Sequence, residues 1–433
     1  MNSSHSSHRP PAVPAPATQT STDSGLKATD TTPVKPASAA QALNSARLRA
    51  RPLVANMSGS RIREVANAAM GRSGVLPFWF GEPDTVTASE IRQAAQEALA
   101  AGDTFYHHNL GLPQLRQALA SYLSRHHPSL GPERIAVTNS GVNALMVAAQ
   151  ALIEPGDRVV TVVPVWPNVA EIPLVLGAHV DRVALEIDDR GRWQLDLDRL
   201  LDTIGQDTRL VVINSPNNPT GWTMPKPQIS ALLQHCRRHG IWVLSDESYE
   251  RLVFDGSHQA PSFLDCADPE DPLVVAYTFS KTWQMTGWRL GWLAAPAALV
   301  PDLGKLIEYN TSCAPGFIQR AGIVAIEQGE QPIRDFVDEL ARRRDTLLAL
   351  LADIPGVELS QPDGAMYAFF RLAGERDSLS LAKALVTEAG LGLAPGIAFG
   401  PEGEGYLRWC FARPTEQLAD GAERLRTFLR SRA

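Results

Sequence analysis

Five short apolar runs in this chain each end on polar residues with chemical potential. Asn139, Ser140 and Gly141 follow Ile135–Thr138, and Pro164, Val165 and Trp166 follow Arg158–Val163. Arg209–Ile213 leads into Ser215-Pro216-Asn217-Asn218-Pro219-Thr220-Gly221. Ile241–Leu244 leads to Asp246, Glu247, Ser248 and Tyr249, and Leu273–Thr278 to Phe279, Ser280 and Lys281. If the runs are strands of one open sheet, these residues share its carboxyl edge, where such sheets bind ligands. A lysine amine there can form a Schiff base, an aspartate can keep a heterocyclic nitrogen protonated, and small residues opening a helix offer free N–H groups to an anion. No cluster of His, Cys and carboxylates accompanies them, which argues against a metal centre.

The runs must be positioned by what lies between them. Helical spacing recurs at Ser89–Ala100, with Ser89 as a cap, and at Gln114–Arg125, Asn143–Leu152 and Pro225–His239. Strands alternating with helices predict βαβ units, hence an α/β fold whose large domain is a mostly parallel sheet flanked by helices. After Ile318 the pattern turns to long helices (Gln319–Gln328, Ile333–Ile354), short strands and a terminal helix, predicting a smaller α+β domain built from N- and C-terminal segments. The expected division is 51–95 and 319–433 for that domain and 96–318 for the large cofactor-binding one. Residues 1–50, rich in Ser, Thr, Pro and Ala and without an aromatic, read as a disordered extension.

Composition narrows the classes. The chain has 433 residues, with 40 Lys+Arg against 47 Asp+Glu for a net charge of −7, and 44% are hydrophobic. Mild acidity argues against a nucleic-acid binder. No run of about 18 apolar residues is present to span a membrane, and no apolar leader opens the chain. Cys236, Cys266, Cys313 and Cys410 are scattered without a paired motif. The expectation is a cytoplasmic protein.

A lysine beside an aspartate, with an anion cradle and an aromatic face, suits pyridoxal 5'-phosphate. SPNNPTG (215–221), SDESY (245–249) and TFSKTWQMTGWRLGW (278–292) together resemble the class I/II aminotransferases, fold type I pyridoxal-phosphate enzymes like aspartate aminotransferase. GEPD (81–84), Tyr106 in FYHHNLGLPQLR, PGDRV (155–159) and GYLRWCFA (405–412) extend the likeness over about residues 51–430. The spacings fit too: Asn218 to Asp246, Asp246 to Tyr249 and to Lys281, and Lys281 to Arg289 are 28, 3, 35 and 8 residues.

The resemblance implies a role for each position. Lys281 is the Schiff-base lysine and then the proton carrier, although most lysines are merely solvated. Asp246 pairs with the pyridinium, although an aspartate after a strand is more often a turn former. Asn218 and Tyr249 bond the ring's phenolic oxygen, and Trp166 stacks on the ring or simply packs. Ser140, Gly141, Val142, Thr278 and Arg289 form the phosphate site; Ser140 fits plain helix capping equally well. Arg408 grips the substrate α-carboxylate and Gly81 approaches it by backbone. Tyr106 reaches the phosphate of a neighbouring subunit, implying a homodimer with shared active sites. The implied activity is ping-pong transfer of an amino group from an α-amino acid to a 2-oxo acid.

Two departures stand out. His107 and His108 follow Tyr106, where they either touch phosphate or substrate across the dimer or pack. No arginine lies between Arg289 and Arg320, which weakens an aspartate-specific reading. His235 and His239, at metal-binding spacing, flank Arg237 and Arg238 and read as a solvated helix face. Other reactions on the scaffold (C–S β-lyase, synthase, racemase) stay open, as does, more remotely, a non-catalytic regulator that binds the cofactor.

Overall fold

Alternate residues of the central strands pack into two different apolar clusters, and this explains why the strands are apolar throughout. Val159 and Val163 join one cluster while Val160 and Val162 join the other. Leu210 and Val212 likewise oppose Val211 and Ile213, and Val274 and Ala276 oppose Val275 and Tyr277. A strand covered on both faces by helices must be apolar at every position.

The computed structural model describes residues 50–128 and 130–432. Our expectation of a disordered extension falls almost wholly outside them. Among residues 1–55, the described part, 50–55, contains a short helix, Pro52–Ala55.

Residues 56–433 contain a seven-stranded sheet. Its strands are β1 (Ile135–Thr138), β2 (Arg158–Val163), β3 (His179–Ala184), β4 (Thr208–Asn214), β5 (Trp242–Asp246), β6 (Leu273–Thr278) and β7 (Gly291–Ala294). They lie in the order β1-β7-β6-β5-β4-β2-β3, and β7 alone among them runs antiparallel, between β1 and β6. The sequence reading missed β3 and β7. β3 is an edge strand carrying exposed His179 and partly exposed Asp181 and Arg182, and β7 is four residues long and directly follows the lysine-bearing motif. Charge on an edge strand hides the apolar signal that marks the central ones.

A second sheet holds β8 (Val357–Glu358), β9 (Tyr367–Leu372), β10 (Ala394–Pro395) and β11 (Tyr406–Cys410), ordered β8-β9-β11-β10 and antiparallel. The N-terminal segment joins it: Leu76–Pro77 pairs with Leu391–Gly392, and Phe78 O accepts from Cys410 N at 3.1 Å. Helix Glu330–Ala352 packs on β8, β9 and helix Thr415–Arg430, while Gly316–Gln328 lies against helices Ser89–Ala100 and Pro113–Ser124. Among the described residues no helix is long and apolar enough to cross a membrane.

Candidate active site

The carboxyl ends of β4, β5 and β6 deliver Asn214, Asp246 and Thr278 to one cavity of about 230 Å³. All of the residues singled out from sequence line it except Ser140 and Tyr106.

Lys281 sits in a one-turn helix (Phe279–Thr282) that Thr278 caps, its Oγ1 accepting from Ser280 N at 3.1 Å. Lys281 Nζ donates to Gly81 O at 2.6 Å. Loss of water around the amine lowers its pKa to about 8. Asp246 ends β5, is buried, and its Oδ1 accepts from Ser248 N at 3.2 Å and Ser248 Oγ at 2.5 Å. No ion pair forms on it among the described residues, and burial lifts its pKa to about 6.

Tyr249, buried, holds its hydroxyl 2.8 Å from that of Tyr367 and 3.4 Å from Asn218 Nδ2. Burial pushes its pKa well up. Arg408, on β11 and 2% exposed, donates through Nη1 to Asn218 Oδ1 at 2.8 Å and through Nη2 to Trp79 O. Its Nε is buried without a partner among the described residues, and its Cζ lies 4.4 Å from the ring centre of Tyr367 and 4.8 Å from that of Phe399. A buried guanidinium paired with no carboxylate is costly unless an anion completes it.

The anion cradle lies at the other end. Ser140 caps helix Gly141–Leu152, its Oγ accepting from Asn143 N at 3.0 Å, a role compatible with a place beside a phosphate. A side chain on Gly141 would meet Thr278 Cβ at 2.9 Å, so only glycine leaves that helix start open. Arg289 adopts φ +57°, with Nη1 donating to Thr286 O at 2.7 Å. Trp166 leads into helix Pro167–Leu176 and donates its backbone N–H to Asn218 O at 2.7 Å.

Tyr106 stands outside this cavity, 88% exposed beside Phe105 at 81%. His107 pairs within the chain, Nε2 to Asp103 Oδ1 at 2.6 Å, and Asp103 also meets Arg320 Nε at 3.1 Å. His108 Nδ1 accepts from Leu110 N at 3.1 Å. His235 and His239 place their rings 4.8 Å apart.

Sequence reasoning missed Tyr367, Ser248, Ser280, Asn214 and Phe80, which also line the cavity. Ser248 and Ser280 lie inside quoted motifs, and Asn214 closes an apolar run. Tyr367 carries no such signal; it arrives because β9 pairs with β11, setting Tyr367 opposite Cys410 and Phe369 opposite Arg408.

The donor set fits pyridoxal phosphate. A buried carboxylate without a cation suits a pyridinium, a half-buried amine of lowered basicity suits a Schiff base, and an open helix start with an arginine suits a phosphate.

The family model for aminotransferase class I and II matches residues 74–425. The chain is 33% identical to an aspartate aminotransferase of Pyrococcus horikoshii over 84% of its length and 93% of the relative's. It is 31% identical to an arginine–pyruvate transaminase of Pseudomonas aeruginosa, covering 84% and 92%. The crystal structure of an aspartate aminotransferase from Thermotoga maritima superposes with a TM-score of 0.82 at 28% identity, covering 88% of this chain and 100% of that one. The fold, the family model and these relatives agree: the chain belongs to the class I and II aminotransferases, enzymes known to use pyridoxal phosphate.

Proposed function

We propose that this aminotransferase binds pyridoxal phosphate in the cavity around Lys281 and moves an amino group from an α-amino acid to a 2-oxo acid in two half-reactions. The observation that carries the reading is the meeting of three charged groups, Lys281, Asp246 and Arg408, at one cavity with no ion pair on any of them among the described residues. When bound, the cofactor supplies an electron sink that makes the substrate Cα–H acidic.

The chain's residues do the rest. Arg408, which lines the cavity and is held by Asn218 Oδ1 and Trp79 O, offers its guanidinium to the substrate α-carboxylate, so the acid enters in one orientation. Lys281, lowered to about 8, has an appreciable neutral fraction near neutral pH, so its Nζ could take the proton from the substrate Cα and hold it for return. Asp246 keeps a positive ring nitrogen in place, with Ser248 fixing its carboxylate. Asn218 and Tyr249 would hold the phenolic oxygen, Trp166 would cover the ring, and Gly141, Val142, Thr278 and Arg289 would receive the phosphate around the helix that Ser140 caps. Gly81 lines the substrate end.

The same proposal makes the enzyme a homodimer in which Tyr106, exposed here, completes a neighbour's site. It makes residues 51–95 and 319–433 one smaller domain against 96–318, supported by the pairing of Leu76–Pro77 with Leu391–Gly392. Four free cysteines support a cytoplasmic home.

The test is the visible Schiff-base absorption of the purified enzyme. An α-amino acid alone should bleach the band and a 2-oxo acid should restore it. Release of ammonia with the band unchanged would instead assign elimination.

A further inference from the structure

Three groups given roles above converge on one tyrosine that the sequence did not mark. Tyr367 is 1% exposed, and its hydroxyl lies 2.8 Å from that of Tyr249, with the two rings edge-on at 77°. Arg408 stacks its guanidinium on the Tyr367 ring. A Cβ on Gly81 would fall 1.8 Å from the Tyr367 hydroxyl, so that hydroxyl occupies the space glycine leaves, next to the carbonyl that holds Lys281.

The direction of the Tyr249–Tyr367 bond follows from counting hydrogens. Tyr249 has one to give. Asn218 Nδ2 can only donate to it, and does so at a long 3.4 Å. If Tyr249 spends its hydrogen on the cofactor's phenolic oxygen, its oxygen must accept at 2.8 Å, and Tyr367 is the donor. Among the described residues Tyr367 makes no other side-chain hydrogen bond, so its hydroxyl is committed to this one.

We propose that Tyr367 is a positioning residue whose hydroxyl, by donating to Tyr249, makes that phenol a stronger and better aimed donor and so sets the basicity of the Schiff base at Lys281. The proposal rests on the reading of Tyr249 given above. A weaker donor leaves more negative charge on the phenolic oxygen, which holds the Schiff-base proton more tightly.

The experiment is a pH titration of the visible band in the holoenzyme and in Tyr367→Phe, Tyr249→Phe and the double variant. Tyr367→Phe should raise the midpoint by about 0.7 of a pH unit, the equivalent of one ordinary hydrogen bond. Tyr249→Phe should raise it further, and the double variant should match Tyr249→Phe, because Tyr367 acts through that phenol. The rate kcat should fall several-fold in Tyr367→Phe with KM little changed. Gly81→Ala, which crowds the same hydroxyl, should move the midpoint the same way and serves if the phenylalanine variant folds poorly. An unmoved midpoint in Tyr367→Phe, or a full additional shift on top of Tyr249→Phe, overturns the proposal. If the wild-type holoenzyme has no titrating band, the reading of Lys281 and Tyr249 fails first; a normal wild-type titration with an unmoved variant sinks this inference alone.

Discussion

Replacing Arg408 by lysine keeps the charge and removes the fork. In the wild type Nη1 and Nη2 are bound to Asn218 Oδ1 and Trp79 O, while Nε is buried without a partner among the described residues. The rings of Tyr367 and Phe399 fix the plane. A lysine ammonium is a point charge on a flexible stem and cannot serve the amide, the carbonyl and a carboxylate in one plane. Losing one charge-assisted bond to the substrate costs about 1.5–3 kcal/mol, or roughly 10- to 150-fold in kcat/KM. Either Asn218 Oδ1 or Trp79 O is then left bare in a dry site, costing about 1–3 kcal/mol of stability. The assay compares each α-amino acid with the amine that lacks its carboxylate, following the first half-reaction by the visible band. In the wild type the acid should win by a large factor; in Arg408→Lys that factor should shrink by roughly 10- to 150-fold, with the amine itself little affected. An unchanged preference for the acid would show that its carboxylate is held elsewhere.

Three further outcomes follow from the same geometry. Asp246 has a folded pKa of about 6, raised above its ordinary 3.8 by burial, so the folded chain binds more protons than the unfolded one between those values. Its charge therefore destabilises the cofactor-free chain progressively as pH rises through that window. Asp246→Asn should stabilise that form above pH 6 in urea melts, with the gain vanishing toward pH 4, while the half-reaction of the loaded enzyme slows at least 100-fold. Glu330→Gln should lower stability by about 1–2 kcal/mol, because it takes a charge partner from buried Arg251, which half-exposed Glu330 now grips at 2.7 and 3.1 Å; the visible spectrum should stay as it is. Mixing inactive Tyr106→Ala and Lys281→Ala chains under exchange should restore activity to about a quarter of the wild-type sites, since half the dimers then hold one intact site; no recovery would refute a shared site.

How much of this was legible in the sequence depended on where each residue sits. Lys281, Asp246, Asn218 and Thr278 were readable because each closes or follows an apolar run, and the sheet's own geometry gathers such positions. Helix Gly141–Leu152 was found two residues late, since Gly141 and Val142 look like loop until the capping Ser140 is seen to start them. Tyr367 was invisible because it reaches the cavity only through the pairing of β9 with β11, a contact between distant segments that no local pattern encodes. Tyr106 was recognised by resemblance, yet one chain leaves it in solvent. His107 meets Asp103 four residues away, but the Arg320 that also grips Asp103 comes from a helix more than 200 residues downstream, which no local pattern shows.

The six residues from Asp246 to Arg251 show why burial alone does not mark function. All but Ser248 are nearly inaccessible, and all but Ser248 are ionisable. Glu247 accepts from Ser245 Oγ at 3.0 Å, Phe263 N at 3.1 Å and Tyr277 Oη at 3.0 Å. Glu250 accepts from Tyr122 Oη at 2.8 Å and is pushed up to about 7 by burial, while Arg251 is forked by Glu330. These groups answer one another inside the protein, and that network is structural. Among the described residues Asp246 is bonded only by its neutral neighbour Ser248, Lys281 by a carbonyl, and Arg408 by an amide and a carbonyl. Leaving three charges without opposite partners costs folding free energy that the chain does not recover by itself. A ligand that brings a cationic ring nitrogen, a carbonyl carbon for the amine and a carboxylate for the guanidinium recovers it, so the charge pattern of the cavity is complementary to the loaded site.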